Sequence, residues 1–246
     1  MRLPWLDSRD DSQPFPPPDR ALTEPDGLLA AGGNLSPRRL LHAYRLGIFP
    51  WYSPGQPILW WSPDPRLVLF PESVNLSHSL RKSLRQGLFT ATADTVFAAV
   101  VTACAAPRGK DTGTWITPEM NRAYVQLHQL GHAHSIETWH EDKLVGGLYG
   151  VAVGQVFYGE SMFSIASNAS KVALAALAAQ LWRWQFTLID CQVHTEHLTR
   201  MGAVEVPRTT FLQLLERYCI LPGRDGLWHL DDDLFTHLLT PVRSPL

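Results

Sequence analysis

The sequence predicts an α+β fold, in which a mixed sheet with flanking helices follows a small N-terminal α/β lobe. First, residues 1–64 are rich in Pro, Gly and Trp and contain one clear helix pattern. Second, strand and helix patterns alternate from Leu67 onward. Third, three consecutive strand patterns over residues 134–163 precede a long apolar helix and one further strand. We therefore expect two domains, at residues 1–64 and 65–246.

The helix of the N-terminal lobe is predicted between Ser36 and Gly47. Ser36 suits an N-cap, Pro37 suits the first helical position, and Gly47 suits the residue after the helix. The segment that follows is dense in turn residues and tryptophans and reads GIFPWYSPGQPILWWSPDPR. This pattern predicts a rigid, aromatic loop at the end of the lobe.

Four helix starts are predicted in the larger domain, at Ser77, Asp94, Thr117 and either Ser167 or Asn168. The order of hairpin, strand, helix and strand over residues 134–193 is the core of a GNAT-type acyltransferase sheet. Such folds hold the pyrophosphate of acetyl-coenzyme A on a Gly-rich turn before the central helix. Here that turn reads SIASNAS and has no glycine, so the coenzyme A signature is missing.

The composition limits the classes of function. The formal net charge is −2, so any contact with nucleic acid requires a local basic patch. The three cysteines form no CxxC pair, which argues for a reducing compartment and against a disulfide framework. His132 and His134 have no obvious third zinc ligand. With no signal-like or membrane-spanning apolar run, we expect a cytoplasmic protein without a metal or cofactor.

Two polar residues interrupt an apolar strand pattern late in the chain. Asp190 and Gln192 are set between Leu188, Ile189 and Val193. Residues at i and i+2 of a strand share one face, so we expect these two side chains to lie together. A buried carboxylate is costly unless it is paired or hydrogen-bonded. The pair either supports a loop beneath the sheet or forms part of a site.

Glu160 and the helix after Ser77 each allow two interpretations. Glu160 comes at the end of an apolar strand pattern, so it is either stabilised by the dipole of the next helix or placed in a cleft between strands. Arg81, Lys82 and Arg85 form one side of the helix, here called the basic face. This face is either simply solvated or contacts the backbone of an RNA.

Several long motifs occur in a fixed order, namely GLLAAGGNLSPRRLLHAYRLGIFPWYSPGQPILWWSPDPR, GTWIT, HAHSIE, LVGGLYGVAVG, FYGESMFS, NASK and LIDCQV. In these motifs the chain resembles the leucyl/phenylalanyl-tRNA–protein transferase family, from about Phe15 to Pro207. The resemblance implies a small N-terminal domain on a GNAT-like domain. It also implies transfer of Leu, Phe or sometimes Met from a charged tRNA to a protein with N-terminal Arg or Lys. The product is a degradation signal, and a monomer is expected.

The resemblance also implies roles for single residues. Asp190 and Gln192 match the family's proposed catalytic pair, with Asp190 the more plausible acceptor of the amine proton, and Glu160 matches a residue that orients substrate. Trp51 and Trp115 match residues at the aminoacyl end and the terminal adenine. The walls of the aminoacyl pocket are expected to be Leu148, Phe157, Met162, Leu174 and Ile189. The rival interpretations are a GNAT-type N-acetyltransferase, a relative of the cell-wall peptidyltransferases and a non-catalytic RNA-binding module.

Overall fold

The N-terminal lobe contains a four-stranded sheet and one α-helix. The computed structural model describes residues 3–107 and 114–239. The sheet has the order β1-β2-β4-β3, and its strands are β1 (Trp5–Leu6), β2 (Leu28–Gly32), β3 (Phe49–Pro50) and β4 (Leu59–Trp61). Helix α1 spans Pro37–Arg45, Ser36 accepts a hydrogen bond from Arg39 N, and Gly47 takes a positive φ. The helix prediction for this lobe is therefore confirmed.

The second sheet has seven strands in the order β11-β5-β10-β9-β8-β7-β6. Its strands are β5 (Arg66–Leu69), β6 (Thr90–Ala93), β7 (Ala133–His140), β8 (Lys143–Val153), β9 (Val156–Ser164), β10 (Leu188–Gln192) and β11 (Val204–Val206). Neighbouring strands are antiparallel except β9 and β10, which are parallel. The predicted mixed sheet is confirmed, and so is the α+β class with a preceding lobe.

Helices cover both faces of the second sheet. They are α2 (His78–Arg85), α3 (Phe97–Ala105), α4 (Pro118–Gln129), α5 (Ala169–Arg183), α6 (Glu196–Arg200), α7 (Arg208–Tyr218) and α8 (Leu234–Leu239). Helix α5 is apolar on all sides and is buried against β7 and β8, as expected of a helix without a polar face. Leu148, Phe157 and Ile189 point toward the core that contains α5, whereas Tyr149, Tyr158 and Leu188 belong to the opposite core.

Three predicted helix starts are correct, at Ser77, Thr117 and Asn168, and the one at Asp94 is not. Ser77 and Thr117 accept hydrogen bonds from the backbone of the first turn, as expected of N-caps. Asp94 instead has a positive φ, and its carboxylate bonds to Ser135 N and to the imidazole of His134. Asn168 is the N-cap residue of α5, as predicted, but it takes the left-handed conformation and makes no side-chain cap bond. Both residues are used for tertiary contacts and turn geometry, which the local pattern does not distinguish from capping.

The expected boundary between residues 64 and 65 stays a prediction. One hydrophobic cluster contains Trp60 and Tyr44 of the N-terminal lobe as well as Val151 of the second sheet. Within the described ranges, no helix has the length and apolarity needed to cross a bilayer.

Candidate active site

A cavity opens where the two parallel strands separate. β9 and β10 pair from Val156 to Tyr158 and from Leu188 to Asp190, but beyond these residues β9 continues with β8 alone. The pairing of β10 with β5 also shifts register between Asp190 and Gln192. The cavity at this place has a volume of about 870 Å³. Glu160 and Gln192 line it, immediately beyond the last paired residues.

Glu160 is buried and receives hydrogen bonds from three side chains. Tyr44 Oη donates to its Oε1 at 2.8 Å, and Tyr124 Oη donates to its Oε2 at 2.5 Å. Gln192 Nε2 donates to Oε1 at 3.0 Å. Glu160 lies in the middle of β9, and α5 begins nine residues later at Ala169. Of the two interpretations of Glu160, the structure therefore supports the cleft and not the helix dipole.

The environment of Glu160 makes its carboxyl a group that titrates near neutrality. The pKa of Glu160 is raised from 4.5 to about 7, chiefly by burial and in the same direction by the nearby charge of Asp190. The hydrogen bonds from Tyr124 and Tyr44 act in the opposite direction, because they favour the charged carboxylate. The net effect is a pKa well above that of an ordinary carboxyl.

Asp190 is fully buried and does not line the cavity. Arg66 Nε donates to Asp190 Oδ1 at 2.8 Å, and Arg66 Nη2 donates to Oδ2 at 2.6 Å. The Arg66 guanidinium lies between the rings of Phe49 and Phe211, at 4.8 and 4.6 Å from their centroids. Both carboxylate oxygens therefore take part in one buried ion pair, behind the residues that line the cavity.

Gln192 departs from the regular strand geometry that the sequence suggests. It has a φ of +64°, and its backbone N donates to Asp190 Oδ1 at 2.9 Å. This φ is unusual for a residue other than Gly and coincides with the register shift of β10. The two side chains therefore do not form the expected side-by-side pair. Asp190 is bonded to Arg66, and the Gln192 carboxamide is bonded to Glu160.

The predicted apolar residues meet in this one cavity. All five predicted wall residues line it, namely Leu148, Phe157, Met162, Leu174 and Ile189. Trp51 and Trp115 line it as well, and the Trp51 side chain is 45% exposed. Gly113, the first residue of the GTWIT motif, lies outside the described residues. The cavity therefore joins an apolar pocket, two tryptophans and a polar centre.

The three residues of the basic face do not line the cavity, but helix α2 lies beside it. Lys82 and Arg85 are exposed, whereas Arg81 is half-buried and donates from Nε to Leu76 O at 3.1 Å. Asn168, which precedes α5, donates to Ser83 of α2 at 3.4 Å. Because Ser170 in the first turn of α5 lines the cavity, this contact sets α2 next to the cavity.

Three residues of the site were not singled out from the sequence. Arg66 reads as the start of an apolar strand, while Tyr44 and Tyr124 read as core positions of amphipathic helices. Only the phenolic hydroxyls distinguish the two tyrosines from plain core residues, and their partner Glu160 is 116 and 36 residues away in sequence. Among the residues that the structure describes, no group of three or more His, Cys, Asp or Glu could hold a metal ion.

Comparisons with solved structures give weak similarities. A GCN5-related N-acetyltransferase from Kribbella flavida aligns with a TM-score of 0.36 and 13% identity, covering 67% of this chain and 58% of its own. The C-terminal domain of a putative lysylphosphatidylglycerol synthetase from Agrobacterium fabrum aligns with a TM-score of 0.36 and 16% identity, covering 76% of this chain and 59% of its own.

Sequence comparisons are much stronger. A leucyl/phenylalanyl-tRNA–protein transferase of Aromatoleum aromaticum is 60% identical over 226 residues, which cover 92% of this chain and 94% of the relative. One of Alkalilimnicola ehrlichii is 57% identical over 234 residues, covering 95% and 91%. The family models for leucyl/phenylalanyl-tRNA protein transferase and for its N-terminal domain match residues 68–216 and 33–64. The chain belongs to the leucyl/phenylalanyl-tRNA protein transferase family.

Proposed function

We propose that this protein transfers Leu or Phe, and also Met, from aminoacyl-tRNA to the N-terminal Arg or Lys of an acceptor protein. The transferred residue marks the acceptor for degradation. Besides the family membership, one observation carries the proposal. A single cavity has apolar walls that suit the side chain of the donor and a polar centre, Glu160 and Gln192, that suits an amine.

The reaction is the aminolysis of an ester by an α-amino group. The reference pKa of such an amine is about 7.7–8.0, so roughly a tenth of it is neutral at pH 7. The ester is activated and the product amide is more stable. The enzyme therefore has to align the two substrates more than it has to supply a strong base, and alignment alone lowers the barrier by several kcal/mol.

Gln192 aligns the acceptor amine. A carboxamide is a poor base, but its oxygen accepts an N–H bond and thereby directs the lone pair of the amine. The bond from Nε2 to Glu160 fixes which way the carboxamide faces. Asp190 acts through this residue, since its carboxylate binds Gln192 N and is itself held by Arg66. We therefore assign Asp190 and Arg66 as positioning residues, in place of the expected role of Asp190 as acceptor of the amine proton, directly or through water.

The apolar walls select the donor side chain. Leu and Phe branch at Cγ or later, whereas Ile and Val branch at Cβ next to the backbone. Walls such as Leu174 and Met162 that leave a neck for one CH₂ group before the pocket widens would reject the second class. Discrimination at the level of a methyl group is worth about 1–3 kcal/mol.

The tRNA end is held by aromatic and basic residues. Trp115 stacks on the terminal adenine and Trp51 lies close to the aminoacyl group, and both residues line the cavity. Base–aromatic stacking contributes about 1–3 kcal/mol per base. The basic face of α2 contacts phosphates of the acceptor stem, which compensates for the net charge of −2 over the whole chain.

The test follows labelled leucine from leucyl-tRNA into peptides that begin with Arg, Lys or Ala. We expect label in the Arg and Lys peptides but not in the Ala peptide, without added metal or coenzyme A. The Gln192→Ala variant, with saturating donor, should lose turnover while donor binding stays nearly intact. Modification that depends on acetyl-coenzyme A would identify an N-acetyltransferase. Retention of charged tRNA without discharge would identify an RNA-binding module.

A further inference from the structure

We propose that Glu160 accepts the proton of the acceptor amine during transfer, and that Tyr44 and Tyr124 position its carboxylate for this step. The inference rests on the proposed function and names the group that the aminolysis needs. The first observation is which carboxylates can be reached from the cavity. Glu160 is the single Asp or Glu that lines the cavity, counted over residues 3–107 and 114–239.

The other nearby carboxylate is unsuitable as a proton acceptor. Asp190 does not line the cavity, and both of its oxygens accept hydrogen bonds from Arg66. Protonation of Asp190 would leave the fully buried Arg66 guanidinium without its counter-charge. A proton that leaves the amine therefore has Glu160 as its nearest anionic destination.

Gln192 connects the amine to Glu160. When the amine donates one N–H to Gln192 Oε1, the Nε2 end of the same carboxamide is bonded to Glu160 Oε1 at 3.0 Å. The amine then lies within the span of one side-chain amide from the carboxylate. This separation suits transfer to Glu160 through one water molecule.

The step balances without any further reactant. The lone pair of the amine attacks the ester carbonyl carbon, a C–N bond forms, and the nitrogen gains a positive charge. A proton then passes from this nitrogen to the Glu160 carboxylate. As the C–O bond breaks, its electron pair goes to the ribose oxygen of the tRNA, and the proton on Glu160 follows to that oxygen. Glu160 ends the cycle as a carboxylate.

The groups around Glu160 suit a carboxyl that cycles between two protonation states. Tyr44 comes from α1 and Tyr124 from α4, and the ring of Tyr149 on β8 lies 5.3 Å from that of Tyr124. The charge of Asp190 on β10 is compensated by Arg66. With a pKa of about 7, Glu160 is close to the reference pKa of the amine, so the proton moves between groups of similar basicity.

The two tyrosines bind different oxygens, and this fixes the orientation of the carboxylate. Tyr44 holds Oε1, which also faces Gln192, and Tyr124 holds Oε2. Both hydroxyls favour the charged form and therefore lower the pKa that burial raises. Removing them should make Glu160 harder to deprotonate and turn it away from Gln192.

The first experiment measures kcat against pH with saturating leucyl-tRNA and an Arg-starting peptide. If both the neutral amine and the Glu160 carboxylate are required, log kcat falls with a slope of about two at low pH. In Glu160→Gln only the amine titrates, so the slope should be about one, and kcat should fall by about 10²–10⁴-fold. A raised KM for the Arg peptide with an unchanged kcat would overturn the proposal, because Glu160 would then only bind the cationic side chain.

The second experiment compares tyrosine variants and does not depend on Glu160→Gln being folded. Tyr44→Phe/Tyr124→Phe should move the acidic limb of the kcat profile to higher pH. Tyr158→Phe is the matched control, since its hydroxyl contacts Cys219 instead and its ring lies 4.9 Å from Tyr44. An acidic limb at the same pH in all three proteins would overturn the role of the tyrosines. Absence of transfer by the unsubstituted protein would refute the proposed function itself.

Discussion

Replacing Glu160 by Gln should stabilise the fold at high pH and not at low pH. The pKa of Glu160 is about 7 in the folded protein and 4.5 in the reference state. For a carboxyl with a raised folded pKa, the favourable contribution is present below the unfolded value and is lost as the pH rises through the folded value. The unsubstituted protein therefore loses stability between about pH 4.5 and 7, whereas the Gln variant does not.

The magnitude follows from the two pKa values. A difference of one in pKa corresponds to about 1.4 kcal/mol. The difference between 4.5 and about 7 therefore changes the free energy of unfolding by about 3 kcal/mol in full. Between pH 5 and 8 the larger part of it, about 2–3 kcal/mol, should appear. The substitution also replaces one acceptor oxygen of the carboxylate with an NH₂ group, and this change has its own cost in folding free energy. That cost does not depend on pH, so it cancels when the stability difference at pH 5 is subtracted from the difference at pH 8.

The measurement is urea unfolding followed by tryptophan fluorescence at several pH values, for both proteins. Glu216→Gln is the control, because this residue is exposed on α7. The control should show no comparable gain at pH 8. A stability difference for Glu160→Gln that stays constant within about 0.5 kcal/mol from pH 5 to 8 would refute the assignment of a raised pKa.

Four further predictions concern the surroundings of this centre. Arg66→Met should destabilise the fold by about 3–5 kcal/mol in urea unfolding, because it leaves a buried charge unpaired, and adding Asp190→Asn should restore part of the loss. Trp115→Ala should weaken competition by leucyl-adenosine by about 1–3 kcal/mol, whereas Trp182→Ala, on an exposed tryptophan outside the cavity, should not. Leu174→Phe should lower kcat/KM for phenylalanyl-tRNA more than for leucyl-tRNA, by about 1–3 kcal/mol. Alanine at all three positions of the basic face should reduce the slope of log binding constant against log salt concentration, measured for tRNA, by ~0.7–0.9 per lost phosphate contact. An unchanged slope would locate the RNA elsewhere.

Structural features that depend on residues close in sequence are predictable from the sequence. The caps at Ser36, Ser77 and Thr117 were predictable, since each side chain bonds to a backbone N three residues on. Asp94 has the same chemical type but serves contacts with His134 and Trp228, 40 and 134 residues away. Local preference gives no indication of which kind of contact such a residue makes.

The candidate site likewise has a part that is predictable from the sequence and a part that is not. The residue types at positions 160, 190 and 192 are visible in the sequence because they interrupt apolar runs. Their partners are not visible, because Arg66 lies 124 residues from Asp190 and Tyr44 lies 116 residues from Glu160. The left-handed conformation of Gln192 is equally hidden, since Gly, Asn or Asp would have signalled it and Gln does not. The prediction that Asp190 and Gln192 lie together on one strand face is therefore wrong at Gln192.

The hydroxyl of Tyr44 brings a hydrogen-bond donor from the N-terminal lobe to Glu160, and this has a consequence for dividing the chain. A fragment that starts at residue 65 would contain Glu160 and Gln192, yet it would lack the donor to Glu160 Oε1 that α1 provides. Two separately expressed pieces should therefore act as a complementation pair. Their transfer rate should rise with the concentration of the N-terminal piece, and a Tyr44→Phe version of that piece should bind its counterpart without restoring the full rate.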